Sequence, residues 1–468
     1  MEQNRFNQNK INLNIVNTFF FILAVFSLML IAFYNRYPVI FTDVGTYIRS
    51  GFTGLVPVDR PIFYGLFIRH ISLAHSLWFV VLAQSILTIV IILLTLKKVF
   101  DAQFVYATTF IISLFLSLTT SISYVISHIM PDFFLALVFL GISNILFGKR
   151  LTILQKSFLS IIVIYGCMVH LSNLLISLAL LIVIIVLYLF DKKRKLIQLE
   201  RNRLLLLISI VGAVWIIMPG INYFYGVGFK MSRTSNIFTM ANFIQSGILR
   251  SYLDEYCDTI NYPICESKDS LPANVSTFLW GQNSPLYKDC ENMDTCWLSK
   301  DKEYGIIIND ILAAPKYRRL ALGVALRKSF SQIIHFGIDG REHIIEGHPS
   351  FWGIKNRISH DFNYYHASRQ AYGRIEFQLL TTIQYVIVSL SLLFILVRLL
   401  KSKKVLMDNR VKSFILFTFC LIMANSFVAG TFSIVANRYQ NRIIWLIPFI
   451  AYVLVIEYFH KKRNIDSL

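Results

Sequence analysis

Long apolar blocks recur along this chain of 468 residues, and they constrain its fold more than any other feature. One block, LSNLLISLALLIVIIVLYLF at 171–190, contains no charged side chain. About 20 such residues are what an α-helix needs to cross a bilayer. Hydrophobic residues make up 56% of the chain, which is more than a soluble domain usually carries. The sequence therefore predicts an all-α polytopic membrane protein.

The apolar blocks predict about ten transmembrane helices. We place them at 13–34, 77–96, 104–121, 130–147, 155–169, 171–190, 204–223, 377–399, 411–429 and 442–460. Short basic runs follow alternate blocks, at Lys97-Lys98, Lys149-Arg150, Lys192 to Lys195, Lys401 to Lys404 and Lys461 to Arg463. Because basic loops stay in the cytoplasm, this pattern predicts that both termini are cytoplasmic.

The net charge of +19 is interpreted through the position of these runs. A basic chain can bind nucleic acid, but here the charge lies just beyond apolar blocks. We interpret it as a topology signal with some attraction to anionic membrane lipid, and we expect no nucleic-acid partner. The first block lacks a small-residue cleavage site after it, which predicts an uncleaved signal anchor. We expect a bacterial inner (plasma) membrane protein.

This topology divides the chain into three units. Residues 1–223 form an N-terminal transmembrane module with seven spans and a first outer loop at 35–76. Residues 224–376 form an extracytoplasmic, α-rich segment between spans seven and eight, and residues 377–468 form a C-terminal module with three spans. The turns at 122–129 and 430–441 are predicted on the same outer side.

The cysteines are an independent indication of the side on which residues 224–376 lie. Four of the six cysteines fall there, at Cys257, Cys265, Cys290 and Cys296. An even number in one loop predicts two disulfides, which require an oxidising compartment. The simplest pairing is Cys257–Cys265 and Cys290–Cys296, although three connectivities are open.

The first outer loop contains the sequence FTDVGTYIRSG, which begins at Phe41. It predicts a short helix that Asp43 caps and that ends at Gly51. Asp59-Arg60-Pro61 predicts a second helix start, with Asp59 as the cap and the apolar side of the helix in lipid. Asp43 lies beside apolar residues, where an ionised carboxylate is costly. Two compatible roles therefore stay open for Asp43, helix capping and function.

Two further outer turns carry charged pairs. His128 and Asp132 are four residues apart, so we expect them on one helical face. Alternatively, Asp132 only opens the next span and His128 is an ordinary interface residue. Arg438 and Arg442 are also four apart, at the outer start of a helix, where positive charge is disfavoured. They predict a bound anion such as phosphate; the alternatives are snorkelling or a salt bridge.

Metal binding has weak support in the sequence. The pair of His128 and Asp132 supplies too few ligands for a metal site. Four more histidines lie in the polar part of the outer segment, at His343, His348, His360 and His366. Because their spacing matches no ordinary zinc pattern, we interpret them mostly as surface or hydrogen-bonding residues.

An acid just outside the first span, a first loop of two short helices and a late outer segment together resemble the GT-C superfamily of polytopic glycosyltransferases. The resemblance implies an extracytoplasmic transfer of a hexose or pentose from a polyprenyl-phosphate-linked donor to a glycan, lipid or protein. It implies that Asp43 is the catalytic base and that NRYQNR at 437–442 holds the lipid phosphate. Many members have paired acids in this loop. Here Val-Gly follows Asp43, which leaves the role of a divalent metal open and implies no other cofactor.

The resemblance also implies a mechanism. A desolvated Asp43 with a raised pKa would deprotonate the acceptor, and a single displacement would invert the anomeric carbon. Arg438 and Arg442 would stabilise the leaving phosphate, while Arg60, His128 and Asp132 are further candidates for substrate binding.

Two other classes of protein fit parts of the same pattern. One is a transporter or flippase of lipid-linked saccharides, and the other is a non-catalytic factor in envelope polysaccharide assembly. Transporters usually carry ionisable residues inside their spans. The predicted spans here carry almost none, which favours chemistry at the membrane surface over transport.

Overall fold

A computed structural model describes residues 2–102, 104–191, 199–339, 346–400 and 407–466. Within these ranges the chain forms helices and no strand, with one isolated backbone bridge between Val39 and His128. The α-helices are α1 (Glu2–Leu28), α2 (Leu30–Asn35), α3 (Val44–Thr53), α4 (Phe63–Ile71), α5 (Trp78–Lys98), α6 (Val105–Thr119), α7 (Ile122–Ser127), α8 (Phe133–Phe147), α9 (Ile153–Val169), α10 (Leu171–Asp191), α11 (Arg201–Phe224), α12 (Ile237–Gln245), α13 (Ile248–Tyr256), α14 (Val275–Trp280), α15 (Met293–Ala313), α16 (Pro315–Ile334), α17 (Pro349–Arg357), α18 (Phe362–His366), α19 (Gln378–Leu400), α20 (Asn409–Phe432), α21 (Asn437–Ile444) and α22 (Leu446–Asp466).

The helices identify an α-helical integral membrane protein. Six apolar stretches are long enough to cross a bilayer, at Trp78–Lys98, Leu171–Phe190, Arg201–Phe224, Gln378–Leu400, Asn409–Phe432 and Asn437–Ile456. Four shorter apolar helices coincide with the other predicted spans, at Leu13–Leu28, Val105–Thr119, Phe133–Phe147 and Ile153–Val169. The helices thus form where the apolar blocks predict them, while a total of ten crossings stays a prediction.

The basic loops meet at one end of the helix bundle, which we call the basic end. Lys149 N donates to Lys98 O at 2.8 Å, and Arg203 Nη1 donates to Gly148 O at 2.6 Å. Arg410 Nη1 also reaches Lys98 O, at 3.4 Å. The loops that the positive-inside pattern groups together are therefore neighbours. The runs Lys192 to Lys195 and Lys401 to Lys404 and the side chains of Lys461 to Arg463 lie outside the described residues.

The other predicted loops meet at the opposite end, which we call the site end. Val39 N donates to Ser127 O at 2.9 Å, which joins the first loop to the turn after α7. Ser350 Oγ donates to Phe41 O at 2.9 Å, and Ser121 Oγ donates to Asn441 O at 2.8 Å. Four segments far apart in sequence therefore surround one place.

The segment 224–376 contributes to two hydrophobic cores. Residues between Ile237 and Tyr317 pack around the buried Trp297 in a small separate core, which we call the small domain. Val58 of the first loop also belongs to that core. Residues between Phe336 and Phe377 instead join the core of the helix bundle. The small domain is thus tied to the first loop, while the chain after α16 is part of the bundle.

The cysteines of the small domain pair locally, as the simplest expectation has it. Cys257 bonds to Cys265 and Cys290 bonds to Cys296. Cys167 and Cys420 are free thiols within helices of the bundle.

The second helix of the first loop differs from its prediction. α4 begins at Phe63, so Asp59 does not cap it. Instead, the Asp59 carboxylate accepts a hydrogen bond from Arg60 Nε at 2.8 Å. A carboxylate engaged by the neighbouring guanidinium is not available to bond backbone N–H groups four residues further on.

The predicted placement of α4 in lipid is also wrong. Its residues Phe63, Tyr64 and Ile68 are buried within the protein. α4 packs closely against α3, and a Cβ atom at Gly51 would lie 2.0 Å from the carbonyl oxygen of Gly65. Only glycines permit this approach of two backbones, so the two helices form one unit that positions the residues at the start of α3.

Candidate functional site

Six charged side chains meet at the site end, and we call them the charge cluster. They are Asp43, Asp59, Arg60, Asp132, Arg438 and Arg442. All of them except Asp59 are candidate site residues from the sequence. The sixth candidate, His128, lies beside the cluster, so the structure brings all six candidates together. They come from the start of α3, the loop before α4, the start of α8 and helix α21.

Asp43 stands at the open side of the charge cluster. It precedes α3 but makes no side-chain capping hydrogen bond. Its carboxylate is held by two arginines instead: Arg60 Nη2 donates to Oδ1 at 3.1 Å, and Arg438 Nη1 lies 3.5 Å from Oδ2. The sequence leaves capping and function open as roles for Asp43. The structure does not contain the hydrogen bond that capping requires.

Asp132 stands at the closed side and lies between the two arginines of α21. Arg442 Nη1 donates to Asp132 Oδ1 at 3.3 Å, and Arg438 Nε lies 3.8 Å from Asp132 Oδ2. Arg442 Nη2 also donates to Asn425 Oδ1 at 2.7 Å. One turn of helix separates the two guanidiniums, which is why both reach the same carboxylate.

The cluster is graded from open to closed. The exposed fraction is 23% for the Asp43 side chain and 21% for Arg438. It falls to 6% for Asp132 and 1% for Arg442. A ligand that approaches from the site end would therefore meet Asp43 and Arg438 first, while Arg442 and Asp132 support them from behind.

Aromatic rings hold the arginines in place. The guanidinium of Arg438 lies 4.8 Å from the ring centroid of Phe41 and 5.1 Å from that of Tyr439. Arg60 lies 5.0 Å from the ring centroid of Tyr47. Such contacts favour the charged form and restrict the side-chain rotamer, so the cluster presents fixed cationic groups.

His128 joins the cluster by a different route from the one predicted. It does not share a helix with Asp132, because α7 ends at Ser127 and α8 begins at Phe133. Pro131 lies between them, and proline disfavours the helical conformation in the residue before it. The His128 ring packs edge-on against Phe41 at 5.6 Å between ring centroids.

Several polar atoms of the site lack a hydrogen-bond partner. Among the described residues, these buried atoms include Arg60 Nη1, His128 Nε2, Asp132 Oδ2 and Arg442 Nε. Arg60 Nη1 is still 3.1 Å from Asp43 Oδ2, as an ion pair without a hydrogen bond. Unsatisfied buried polar atoms are rare in folded proteins, so a water or ligand that bonds these four atoms would complete the site.

The electrostatics of Asp43 differ from the expectation. Burial by itself raises the pKa of Asp43, but the neighbouring Arg60 and Arg438 outweigh it and hold that pKa below its usual value. The expected net increase by desolvation is therefore wrong for the protein without ligand, because two cations stand beside the carboxylate. Asp43 is ionised at neutral pH, and three carboxylates balance three guanidiniums in the cluster.

The site includes residues that the sequence does not single out. Asn425 of α20 is fully buried and accepts from Arg442; an amide within an apolar block is a weak signal for it. Ser350 Oγ accepts a hydrogen bond from Gly45 N at 2.9 Å and so fixes the start of α3. No local pattern indicates a contact between residues 305 positions apart.

The structure adds no metal ligands to this site. Within the described ranges, no group of three or more histidine, cysteine, aspartate or glutamate side chains could hold a metal ion. The cluster carboxylates are engaged by guanidiniums instead. His348 caps α17 by accepting from Ser350 N, and His360 stacks on His75. His343 lies outside the described residues.

Comparison with known proteins gives no relative. No family model, no curated protein and no solved structure matches this chain. The chemistry of the charge cluster and its position in the bundle therefore carry the functional argument.

Proposed function

We propose that this protein is a membrane glycosyltransferase of the GT-C type. It moves a sugar from a polyprenyl-phosphate-linked donor to an extracytoplasmic glycan, lipid or protein, with inversion. The observation that carries the proposal is Asp43: a partly exposed carboxylate that makes no capping hydrogen bond and lies between two arginines, Arg60 and Arg438. The disulfides of the small domain support an extracytoplasmic location for this end.

The arginines suit the phosphate of the donor. A lipid-linked phosphate remains at the membrane surface, and the cluster lies at one end of a bundle of apolar helices. Arg438 is the most open guanidinium of the three, and its planar fork matches phosphate oxygens. Buried Arg442 positions Arg438 by sharing Asp132 with it. Negative charge that develops on the departing phosphate is stabilised by these fixed cations.

Donor binding also prepares Asp43 as a base. In the free protein Arg60 and Arg438 lower the pKa of Asp43. A phosphate that engages the same guanidiniums adds negative charge beside the carboxylate and offsets their influence, so that burial then raises the pKa of Asp43 toward the working pH. Asp43 takes the proton of the acceptor hydroxyl while that oxygen attacks the anomeric carbon. General base catalysis of this kind contributes about 10²- to 10⁴-fold.

The decisive experiment separates binding from transfer. Purified protein in lipid nanodiscs is given radiolabelled undecaprenyl phosphate to measure binding, and a panel of undecaprenyl-phosphate hexoses and pentoses with a membrane-extract acceptor to measure transfer. We expect Asp43→Asn to bind undecaprenyl phosphate and to lose sugar transfer by at least about 10²-fold. Arg438→Gln is expected to lose binding as well.

Asp101→Asn is the matched control, because Asp101 is an exposed aspartate at the basic end, and it is expected to keep both properties. Full transfer by Asp43→Asn would exclude Asp43 as the base. Movement of the intact lipid-linked sugar across a vesicle membrane, with no sugar released, would favour a flippase instead.

A further inference from the structure

A second feature of the molecule lies apart from the charge cluster, on α16. Its exposed apolar side chains Leu322, Leu326, Phe330 and Ile334 recur every fourth residue and form one stripe, with Phe330 65% exposed. Residues at this spacing share a helix face. The opposite face is covered, because Gly430 of α20 is so close that a Cβ atom there would lie 2.8 Å from Ser329 N.

The stripe begins in the small domain and continues along the bundle. Near the start of α16, Tyr317 is part of the core of the small domain. Near its end, Leu326, Phe330 and Ile333 line an apolar crevice of about 450 Å³ together with helices α10 and α20. Both partner helices are long enough to span a bilayer. An apolar crevice against two such helices opens toward hydrocarbon.

Three arginines accompany the stripe. Arg318, Arg319 and Arg327 are exposed, and none of them belongs to an ion pair within the described parts of the chain. Arg319 is three residues before Leu322 and shares the face of the stripe, while Arg318 and Arg327 are nine residues apart and flank the stripe on its two sides. Basic side chains beside an apolar face are typical of helices that lie among anionic lipid headgroups.

We propose that α16 holds an anionic phospholipid, with the headgroup attracted by the positive charge of Arg318, Arg319 and Arg327 and an acyl chain in the crevice between α10, α16 and α20. The charge of the arginines selects the headgroup, and the crevice receives the chain. This inference does not depend on the proposed glycosyltransfer, because none of its residues belongs to the charge cluster.

The test measures lipid selectivity in phosphatidylcholine vesicles that contain the full-length protein. Spin-labelled phosphatidylglycerol and spin-labelled phosphatidylcholine are compared for their association with the protein by electron paramagnetic resonance. We expect the wild type to prefer phosphatidylglycerol by about five-fold, the factor given by one basic side chain near a membrane surface. The triple variant Arg318→Gln/Arg319→Gln/Arg327→Gln is expected to lose most of this preference and to keep only the weaker attraction that the basic runs elsewhere in the chain supply.

Two controls make the result specific. Lys302→Gln/Arg357→Gln/Arg374→Gln changes the net charge equally at exposed residues elsewhere and is expected to keep the preference. Arg318→Lys/Arg319→Lys/Arg327→Lys retains the positive charge and is expected to keep most of it. Equal association of both lipids with the wild type, or the same loss in both Gln variants, would overturn the proposal.

The crevice itself is tested with Ala424→Phe, which fills it from α20. We expect this variant to weaken phosphatidylglycerol association and to leave binding of undecaprenyl phosphate unchanged. The opposite pattern would assign the crevice to the tail of an isoprenoid phosphate and would overturn the assignment to phospholipid.

Discussion

The two ends of the bundle both carry ion pairs, but they hold them in different ways. At the basic end, Lys149 pairs with Asp101 where the side chains are 49% and 54% exposed. At the site end, Arg442 pairs with Asp132 where the exposed fractions are 1% and 6%. Water screens the first pair, whereas the second pair is almost completely buried. Removal of one partner is therefore expected to cost more free energy of unfolding at the site end than at the basic end.

The two ends also differ in how their charged groups are satisfied. At the basic end, Arg203 bonds the backbone carbonyl of Gly148 at 2.6 Å, and Arg398 near the end of α19 is the guanidinium there with a buried nitrogen that lacks a partner among the described residues. At the site end, Arg60, His128, Asp132 and Arg442 each retain an atom without a hydrogen bond. A buried ion pair is weak grounds for inferring added stability, whereas incomplete satisfaction is common where a ligand completes the site. The comparison separates exposed charge at the basic end from buried charge with free bonding capacity at the site end.

The largest effect is expected from Arg442→Met. This substitution leaves Asp132 buried without its nearest cation, and breaking a buried pair costs about 3–5 kcal/mol of the free energy of unfolding. The measurement is unfolding in mixed micelles of dodecylmaltoside and sodium dodecyl sulfate. Asp132→Leu/Arg442→Met removes both charges and is expected to recover most of the loss. A double variant as unstable as the single one would show that packing, and not an unpaired charge, causes it.

A smaller effect with a definite pH dependence is expected from Arg60→Gln. In the wild type, the lowered pKa of Asp43 means that its stabilising contribution is present above the unfolded pKa of about 3.9 and is lost as the pH falls through the folded pKa. Without Arg60, burial dominates and protonation becomes easier. We expect a loss of about 1.5–3 kcal/mol at pH 7.5 and a smaller loss at pH 5.

The measurement for Arg60→Gln is the same micelle unfolding at both pH values. Arg69→Gln is its control, because the Arg69 guanidinium stacks on Phe52 and pairs with no carboxylate in the described ranges. The control is expected to show an equal effect at both pH values. A deficit of Arg60→Gln that grows on acidification would contradict the assigned electrostatics of Asp43.

The smallest effect is expected from Lys149→Gln at the basic end. Exposed ion pairs contribute only about 0–1 kcal/mol, and added salt weakens them further. Unfolding in dodecyl maltoside micelles with urea, at low and high potassium chloride, measures both properties. A loss comparable to that of Arg442→Met would remove the distinction between the two ends.

The sequence predicts the bundle well because its strongest signals are local. Apolar length and basic runs predict the helices and the grouping of Lys98 and Lys149 at one end. The choice of Asp43, Arg60, His128, Asp132, Arg438 and Arg442 also depends on local signals, since charge beside an apolar block is unusual. Their roles as catalytic or binding residues stay predictions.

The parts that sequence reasoning missed depend on which partner each residue meets in the fold, whether that partner is adjacent or distant along the chain. The cap assigned to Asp59 is wrong because Arg60 folds back onto it, and the lipid-facing α4 is wrong because Gly51 and Gly65 let α3 cover it. The net direction of the pKa shift at Asp43 depends on Arg438, almost 400 residues away along the chain. Local patterns indicate which charged residues cost free energy when they are buried. They do not indicate which partner residue offsets that free energy.

One peptide segment belongs to two parts of the molecule at once. Val58 is packed in the core of the small domain, its carbonyl accepts from Thr234 at 2.7 Å, and Arg60 follows two residues later. Because only one residue separates Val58 from Arg60, a rotation of the small domain would also move the Arg60 guanidinium that pairs with Asp43. The contact between Arg60 and Asp43 therefore depends on the folding of the disulfide-bonded small domain. We expect that reduction of the two disulfides in the purified protein would weaken this contact, although neither disulfide lies beside it.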